Sequence, residues 1–233
     1  LTAAPEGVPV IIRDSFGTQV ETGTVSLPAG GHAMFNLSDR FASSGGIDGT
    51  VEFATPADGR IGVMGMNFPS SGGFTAIPVA AGPGLSSGSA AHLAVGQGWT
   101  STIQLINSSN APTQARVRFF DDSGNPLSVP FAVAGATQTA DSVDLVLLPY
   151  ATMTVRSLAA DDPNLLSGSA QFTSDSPVNG FVRFRYEPMG QEMVTPLETR
   201  KATSYFLAFD NTNGLATGVA LTNISTKIGR AHV

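Results

Sequence analysis

Four blocks of this sequence recur in one order along the chain, and that repetition limits the fold more than any other feature. Val10-Ile11-Ile12-Arg13-Asp14-Ser15-Phe16-Gly17 matches Val117-Arg118-Phe119-Phe120-Asp121-Asp122-Ser123-Gly124. Val25-Ser26-Leu27-Pro28 matches Val146-Leu147-Leu148-Pro149, and the second copy is longer in the stretch between these two blocks. Gly49-Thr50-Val51-Glu52-Phe53 matches Gly168-Ser169-Ala170-Gln171-Phe172. Gly62-Val63-Met64-Gly65-Met66-Asn67-Phe68 matches Gly180-Phe181-Val182-Arg183-Phe184-Arg185-Tyr186, with Pro78 meeting Pro196.

A third copy opens near the end. His92-Leu93-Ala94-Val95 and Ile103-Gln104-Leu105-Ile106-Asn107 match Phe206-Leu207-Ala208-Phe209 and Val219-Ala220-Leu221-Thr222-Asn223. The chain therefore divides into the later part of one module (1–80), a complete module (89–198) and the opening hairpin of a third (203–226). Residues 81–88, rich in Gly and Ser, read as a flexible linker. Residues 228–233 resemble the translated read-through of a common sequencing adapter, so 227–233 are set aside as an artefactual tail.

Within each copy the apolar period is two. Val182, Phe184 and Tyr186 fall on one side of a strand and Arg183 and Arg185 on the other. Ala115-Arg116-Val117-Arg118-Phe119 alternates likewise. Turn chemistry bounds these runs at Asn107-Ser108-Ser109-Asn110, Asp122-Ser123-Gly124-Asn125-Pro126 and Asp175-Ser176-Pro177. Ser38-Asp39-Arg40-Phe41 and Ala159-Ala160-Asp161-Asp162 each predict one helical turn. The complete module predicts about seven strands at the spacing of a sandwich. The fold class is all-β: tandem immunoglobulin-like antiparallel β-sandwiches, without the Cys pair of antibody domains.

Composition narrows the function. Lys and Arg number 12 against 18 Asp and Glu, a formal charge of −6, and only 13% of residues are charged. An acidic chain lacks the basic stripe that neutralises phosphates, which excludes a duplex nucleic-acid binder. The absence of Cys excludes disulfide scaffolds and thiolate zinc sites. Residues 61–115 contain no Asp, Glu, Lys or Arg, but Gly, Pro, Ser and Asn interrupt them throughout, so no membrane span is expected. Lys occurs only at 201 and 227, and Ser, Thr, Asn and Gly supply the polar surface, a style common in exported β-rich proteins.

The blocks Phe206–Asn211, Gly218–Asn223, Leu27–His32 and Gly49–Phe53 resemble repeat modules found in tandem in secreted proteins of environmental bacteria, whose function is generally unknown. The resemblance reaches nearly to Thr226. It implies an immunoglobulin-like sandwich and an extracellular or cell-surface location, and it brings no catalytic residues.

Candidate chemistry is sparse. His32 and His92 occupy different places in the module. Gly84-Leu85-Ser86-Ser87-Gly88 has the spacing of a nucleophile elbow but falls in the linker, not on a strand-to-helix turn. Asp121, Asp122 and Asn125 offer hard oxygen ligands for calcium in one loop, though Asp-Ser-Gly-Asn-Pro is also ordinary hairpin chemistry. Asp161, Asp162 and Asn164 form a second, equally weak set. Adjacent carboxylates on a strand face opposite ways, so neither Asp pair serves glycoside hydrolysis by itself. Among the aromatic residues Trp99, following Gly96-Gln97-Gly98, is placed for partial exposure, so Trp99 with Gln97 is a candidate sugar platform. Most of the others, Phe119, Phe120, Phe181, Phe184 and Tyr186, fall on the alternating apolar face and are expected in the core. Arg183 and Arg185 form a candidate polar contact surface.

These features lead to a non-catalytic extracellular repeat acting as a spacer or adhesion module, with no cofactor. Its expected partners are the neighbouring modules of the same chain and a polysaccharide or cell-surface protein. The alternative is a carbohydrate-binding module accessory to a secreted hydrolase.

Overall fold

A computed structural model describes residues 6–57, 59–69, 72–200 and 202–225, and the expected tail at 227–233 lies outside the described residues. The period-two alternation is realised as antiparallel strands throughout. The first part of the chain holds β1 (Glu6–Asp14), β2 (Gln19–Leu27), a helical turn α1 (Leu37–Arg40), β3 (Gly49–Phe53), β4 (Gly65–Asn67) and β5 (Thr75–Ile77). Then follow β6 (Leu85–Val95), β7 (Trp99–Ile106), β8 (Thr113–Phe120), β9 (Val129–Val133) and β10 (Ala136–Ala140). The series ends with β11 (Ser142–Leu147), β12 (Thr152–Ser157), β13 (Leu166–Tyr186) and β14 (Gln191–Pro196). They form a three-stranded sheet in the order β2-β1-β3, a β4-β5 pair and a nine-stranded sheet made of β6 to β14.

The nine-stranded sheet is organised by β13, which runs for 21 residues. Its first half pairs with β6 and β8, and its second half with β7 and β14. Between Thr173 and Val178 the register slips, and Ser86 alone on β6 faces Ser174–Pro177. Asp175-Ser176-Pro177 is therefore a bulge inside one strand, not the expected turn. Pro177 has no N–H to give a ladder, while Ser176 N–H finds the Thr113 hydroxyl at 3.0 Å, so the strand bends without ending. The bend lets the sheet curl nearly into a barrel.

The core fills this curl. β6, β8 and β11 contribute Leu93, Val95, Val117, Phe119, Leu145 and Leu147, and β7, β9, β12 and β13 contribute Ile103, Leu105, Phe131, Val155, Val182 and Phe184. The Phe119 and Phe131 rings meet across it with centroids 5.6 Å apart. Burial alternates along β8 as the sequence implies, with Ala115, Val117 and Phe119 buried and Arg116 and Arg118 exposed. The strand count from β6 to β14 exceeds the expected seven because the extra length of the second copy forms the β9–β10 hairpin. Its two-residue turn takes positive φ at Ala134 (48°) and Gly135 (81°), the geometry that matches strand twist.

Two other expectations change. The second half of the flexible linker is strand: Leu85–Gly88 belong to β6, held on β13 by Leu85↔Val178 and Gly88↔Phe172 pairing. The hairpin expected at 203–226 is absent among the described residues 202–225, which carry no strand. Phe206 is 97% and Leu221 88% exposed there. A hairpin alone is marginal in water, and the segment meets the nine-stranded sheet through Thr222, whose hydroxyl donates to Ser169 Oγ at 3.1 Å.

The first and third repeated blocks pair alike, whereas the second and fourth are one residue out of phase: Val25 faces Val8 and is buried while Val146 faces Gln114 and is exposed, and Gly65 faces Ile77 while Arg183 faces Val194. Val10↔Phe53 and Ile12↔Val51 pair β1 with β3, and the matching residues Val117↔Phe172 and Phe119↔Ala170 pair β8 with β13. The turns agree too. Asp14 Oδ1 accepts the N–H groups of Phe16 (3.0 Å) and Thr18 (2.8 Å), and Asp121 Oδ1 those of Ser123 (2.9 Å) and Asn125 (2.8 Å). Even the close approach recurs: a Cβ on Gly49 would collide with the Arg13 carbonyl oxygen, and one on Gly168 with that of Phe120. Gly168→Ala is therefore expected to cost about 2 kcal/mol or more, read as a lower urea midpoint with unchanged slope. An unchanged midpoint would show that β8 and β13 are not packed this closely.

Candidate functional site

Four of the candidate residues, Gln97, Trp99, Arg183 and Arg185, fall at one end of β7 and β13, with Trp99 and the two arginines on opposite faces. Gly96-Gln97-Gly98 turns β6 into β7 with every φ positive (97°, 52° and 88°). The turn is clamped to the loop after β12: Gln97 N–H donates to the Asp162 carbonyl and Gly98 N–H to that of Ala160, both at 2.7 Å. The Gln97 side chain donates to the Pro163 carbonyl at 3.0 Å.

Trp99 starts β7 opposite Tyr186, and the two rings lie 5.0 Å apart at 37°. Trp99 is half-buried and packs against the core. It closes the open end of the apolar interior, where its large surface contributes most. His92 is exposed and its ring lies 5.6 Å from that of Phe184.

Arg183 and Arg185 occupy the opposite face, beside Thr102 and Thr100 of β7 and Val194 and Glu192 of β14. Glu192, only 8% exposed in its side chain, sits 3.5 Å from Arg183 and 3.8 Å from Arg185. Arg185 Nε donates to Glu187 at 2.9 Å, and the other Glu187 oxygen lies 3.5 Å from Arg156 and accepts from Thr100 Oγ1 at 3.3 Å. Arg183 Nε is buried without a hydrogen-bond partner. Three guanidiniums thus surround two carboxylates, a local positive excess on an acidic chain. The Glu187 pairs are part-open to water and contribute about 0–1 kcal/mol each, whereas Glu192 is held largely out of water beside Arg183 and Arg185. Chemically this face presents arginine N–H groups to a carboxylate-bearing or otherwise polar partner.

The loop with Asp121, Asp122 and Asn125 is a closed turn. Beside the two backbone donors on its Oδ1, Asp121 takes the Asn125 side-chain N–H on Oδ2 at 3.3 Å. The Asn125 backbone N–H is the leading cause that holds the Asp121 carboxyl below its ordinary range, with its side chain and the Ser123 and Gly124 N–H groups adding to it. Asn125 therefore turns a donor, not its oxygen, toward Asp121, while Asp122 is exposed. Asp162 behaves alike, with Oδ1 accepting from the Asn164 N–H at 2.8 Å. Among the described residues no group of three or more His, Cys, Asp or Glu is placed to hold a metal ion. No helix there is long and apolar enough to cross a membrane.

Two further constellations escaped the sequence reading. Asn107 is fully buried; its amide donates to the Ala111 (2.7 Å) and Leu148 (2.9 Å) carbonyls, and its oxygen accepts from Ser109 N–H (3.0 Å) and Oγ (2.8 Å). Its signal was the spacing Asn107-x-Ser109, repeated at Asn223-x-Ser225, where Asn223 Oδ1 accepts from the Ser225 N–H at 2.9 Å. Next to it lies a joint between the first sheet and the nine-stranded one. Arg13, paired with Glu52 at 2.7 Å, places its guanidinium 4.3 Å from the centre of the Tyr150 ring, and Thr152 N–H donates to the Ser15 carbonyl at 3.0 Å. A Cβ on Gly17 would collide with the Pro149 carbonyl oxygen, so the Asp14–Gly17 turn seats on Pro149-Tyr150-Ala151. No spacing rule marks this contact, since it joins different copies.

Compared with family models, curated proteins and solved structures, the chain finds no match in any of the three.

Three outcomes follow from these geometries. Trp99→Ala is expected to lower stability by about 2–3 kcal/mol, measured by urea denaturation, because it opens the end of the core. The depressed Asp121 carboxyl contributes stability above its ordinary pKa of about 3.9, and that contribution is lost as pH falls through the lower folded value. Asp121→Asn should accordingly flatten the acid limb of the stability profile by lowering the neutral plateau, while leaving the acid limit nearly unchanged. Millimolar calcium should leave the melting temperature where it is, and a calcium-dependent rise would reinstate the loop as a metal site.

Proposed function

We propose that this chain is a stretch of a non-catalytic extracellular array of immunoglobulin-like sandwich modules that acts as a spacer or adhesion element. The observation that carries the reading is the shared register of β1·β3 and β8·β13, together with the matching Asp14 and Asp121 turns. Equivalent blocks that pair alike are what a repeated module requires. The seat of the Asp14–Gly17 turn on Tyr150 supports a mechanical role, because it couples one module to the next through packing and not through a slack tether. The arginine face on β13 is the surface that such an element offers to a polar partner. The carbohydrate-binding alternative needs a Trp99 ring open to a sugar. The position of that ring against Tyr186 and the core favours a structural part for it.

Stretching the whole chain between two handles tests this reading. The unit from Leu85 to Leu197 should yield in one cooperative step and release about 400 Å of contour. Gradual extension at low force would contradict a load-bearing spacer. Trp99-dependent retention on a glycan array would favour the carbohydrate-binding alternative.

A further inference from the structure

The face of β7, β12 and β13 turned away from the core holds three arginines whose donors are largely unengaged. Thr102 pairs with Arg156 on one side and with Arg183 on the other. The two arginines therefore share a face, and their backbones stand about 10 Å apart, two strand spacings. Arg185 lies about 7 Å further along β13, beside Thr100. Each guanidinium carries a planar fork of N–H donors. Among the described residues the three forks make one hydrogen bond, from Arg185 Nε to Glu187 at 2.9 Å. Arg156 and Arg183 stand 3.5 Å from their carboxylates, in charge contact without a hydrogen bond, and Arg183 Nε is out of water with no acceptor. Arg116 on β8 shows the saturated alternative: its Nε and Nη2 both donate to Asp144 at 2.6 Å.

The two carboxylates position the arginines and leave their forks open. Glu192, almost buried, sits beside Arg183 and Arg185, and Glu187 lies between Arg185 and Arg156. Resting on the adhesion reading above, we propose that this face binds an acidic polysaccharide, whose sugar-borne carboxylates or sulfate esters complete the hydrogen bonds of Arg156, Arg183 and Arg185. Such a bond is strongest where two parallel N–H groups meet two oxygens of one anion. Three positive groups against two negative ones match a singly charged carboxylate or sulfate ester better than a doubly charged phosphate. Thr102, Thr154 and Gln104 share the face and supply hydroxyl and amide partners for sugar hydroxyls, which the side chains of an acidic peptide lack. The chain as a whole carries −6, so no long-range attraction draws a polyanion in, and recognition rests on the forks themselves.

Electrophoresis of the whole chain through gels that hold a polymer tests the proposal. Polygalacturonate or dextran sulfate should retard the chain, neutral dextran should not, and the polymer that retards identifies the anion. Arg156→Gln and Arg183→Gln should each raise the polymer concentration that halves the mobility about tenfold. Arg156→Lys keeps the charge but loses the fork, and should weaken retardation as well. Arg116→Gln removes the same charge from β8 and should leave retardation unchanged. If Arg183→Gln does not fold, as circular dichroism would show, Arg156→Gln decides the matter, since that side chain is 59% exposed. Retardation by neither acidic polymer overturns the proposal, as does retardation that Arg156→Gln leaves intact. Equal retardation by polyglutamate overturns it too, and makes the face a site for acidic peptides. None of these results touches the spacer reading, which yielding in one step under force tests separately.

Discussion

The structure depends on one strand having its backbone groups paired along both edges. Within the nine-stranded sheet, β13 is the only strand with four partners, two per half, and the bulge at Ser174–Pro177 is what allows it to serve both. A buried strand must satisfy every N–H and C=O, so the partners on each side are fixed once its path is fixed. The core follows from that path, because Ala170 and Phe172 point into the same interior as Val182 and Phe184. The residues between them bend the sheet and bring Phe119 against Phe131. Proline at 177 and serine at 176 make the bend cheap in hydrogen bonds.

Where this double pairing is lacking, the chain is open. β3 and β4 repeat the two halves of β13 as separate short strands, each with one partner. The smaller core around Val8, Val10, Ile12, Val25 and Phe41 is correspondingly slight. It is steadied from outside, by the Arg13 guanidinium over Tyr150 and the Ser15 carbonyl at Thr152. The segment 202–225 has apolar residues in strand-like order but carries no strand.

Much of this was legible from the residues. The alternation in Ala115–Phe119 and Val182–Tyr186 gave the buried faces directly, since a strand has only two. The match of Val10–Gly17 to Val117–Gly124 located equivalent turns because Asp and Gly are needed there for backbone reasons. Other features were hidden for physical causes. Pro177 looked like a chain reversal because proline interrupts a ladder in both a turn and a bulge, and only the partner strand distinguishes them. Leu85–Gly88 looked like a linker because glycine and serine carry no apolar period, although Gly88 is needed where Phe172 and the Glu198 carbonyl crowd the backbone. Trp99 and Arg183 both lie at one end of the sheet, which no spacing in the sequence marks. Their separation onto opposite faces needed the register of β7 on β13.

The first and third blocks of the two copies pair alike, and cysteine cross-linking measures this directly in a chain without native Cys. Ile12↔Val51 and Phe119↔Ala170 are facing pairs of the closely spaced kind, within disulfide reach. With cysteines at both pairs, oxidation should close two intramolecular disulfides, 12 to 51 and 119 to 170, in a chain that keeps its native spectrum. Closure of one pair without the other, or closure only after register slip to a neighbouring position, would contradict the account.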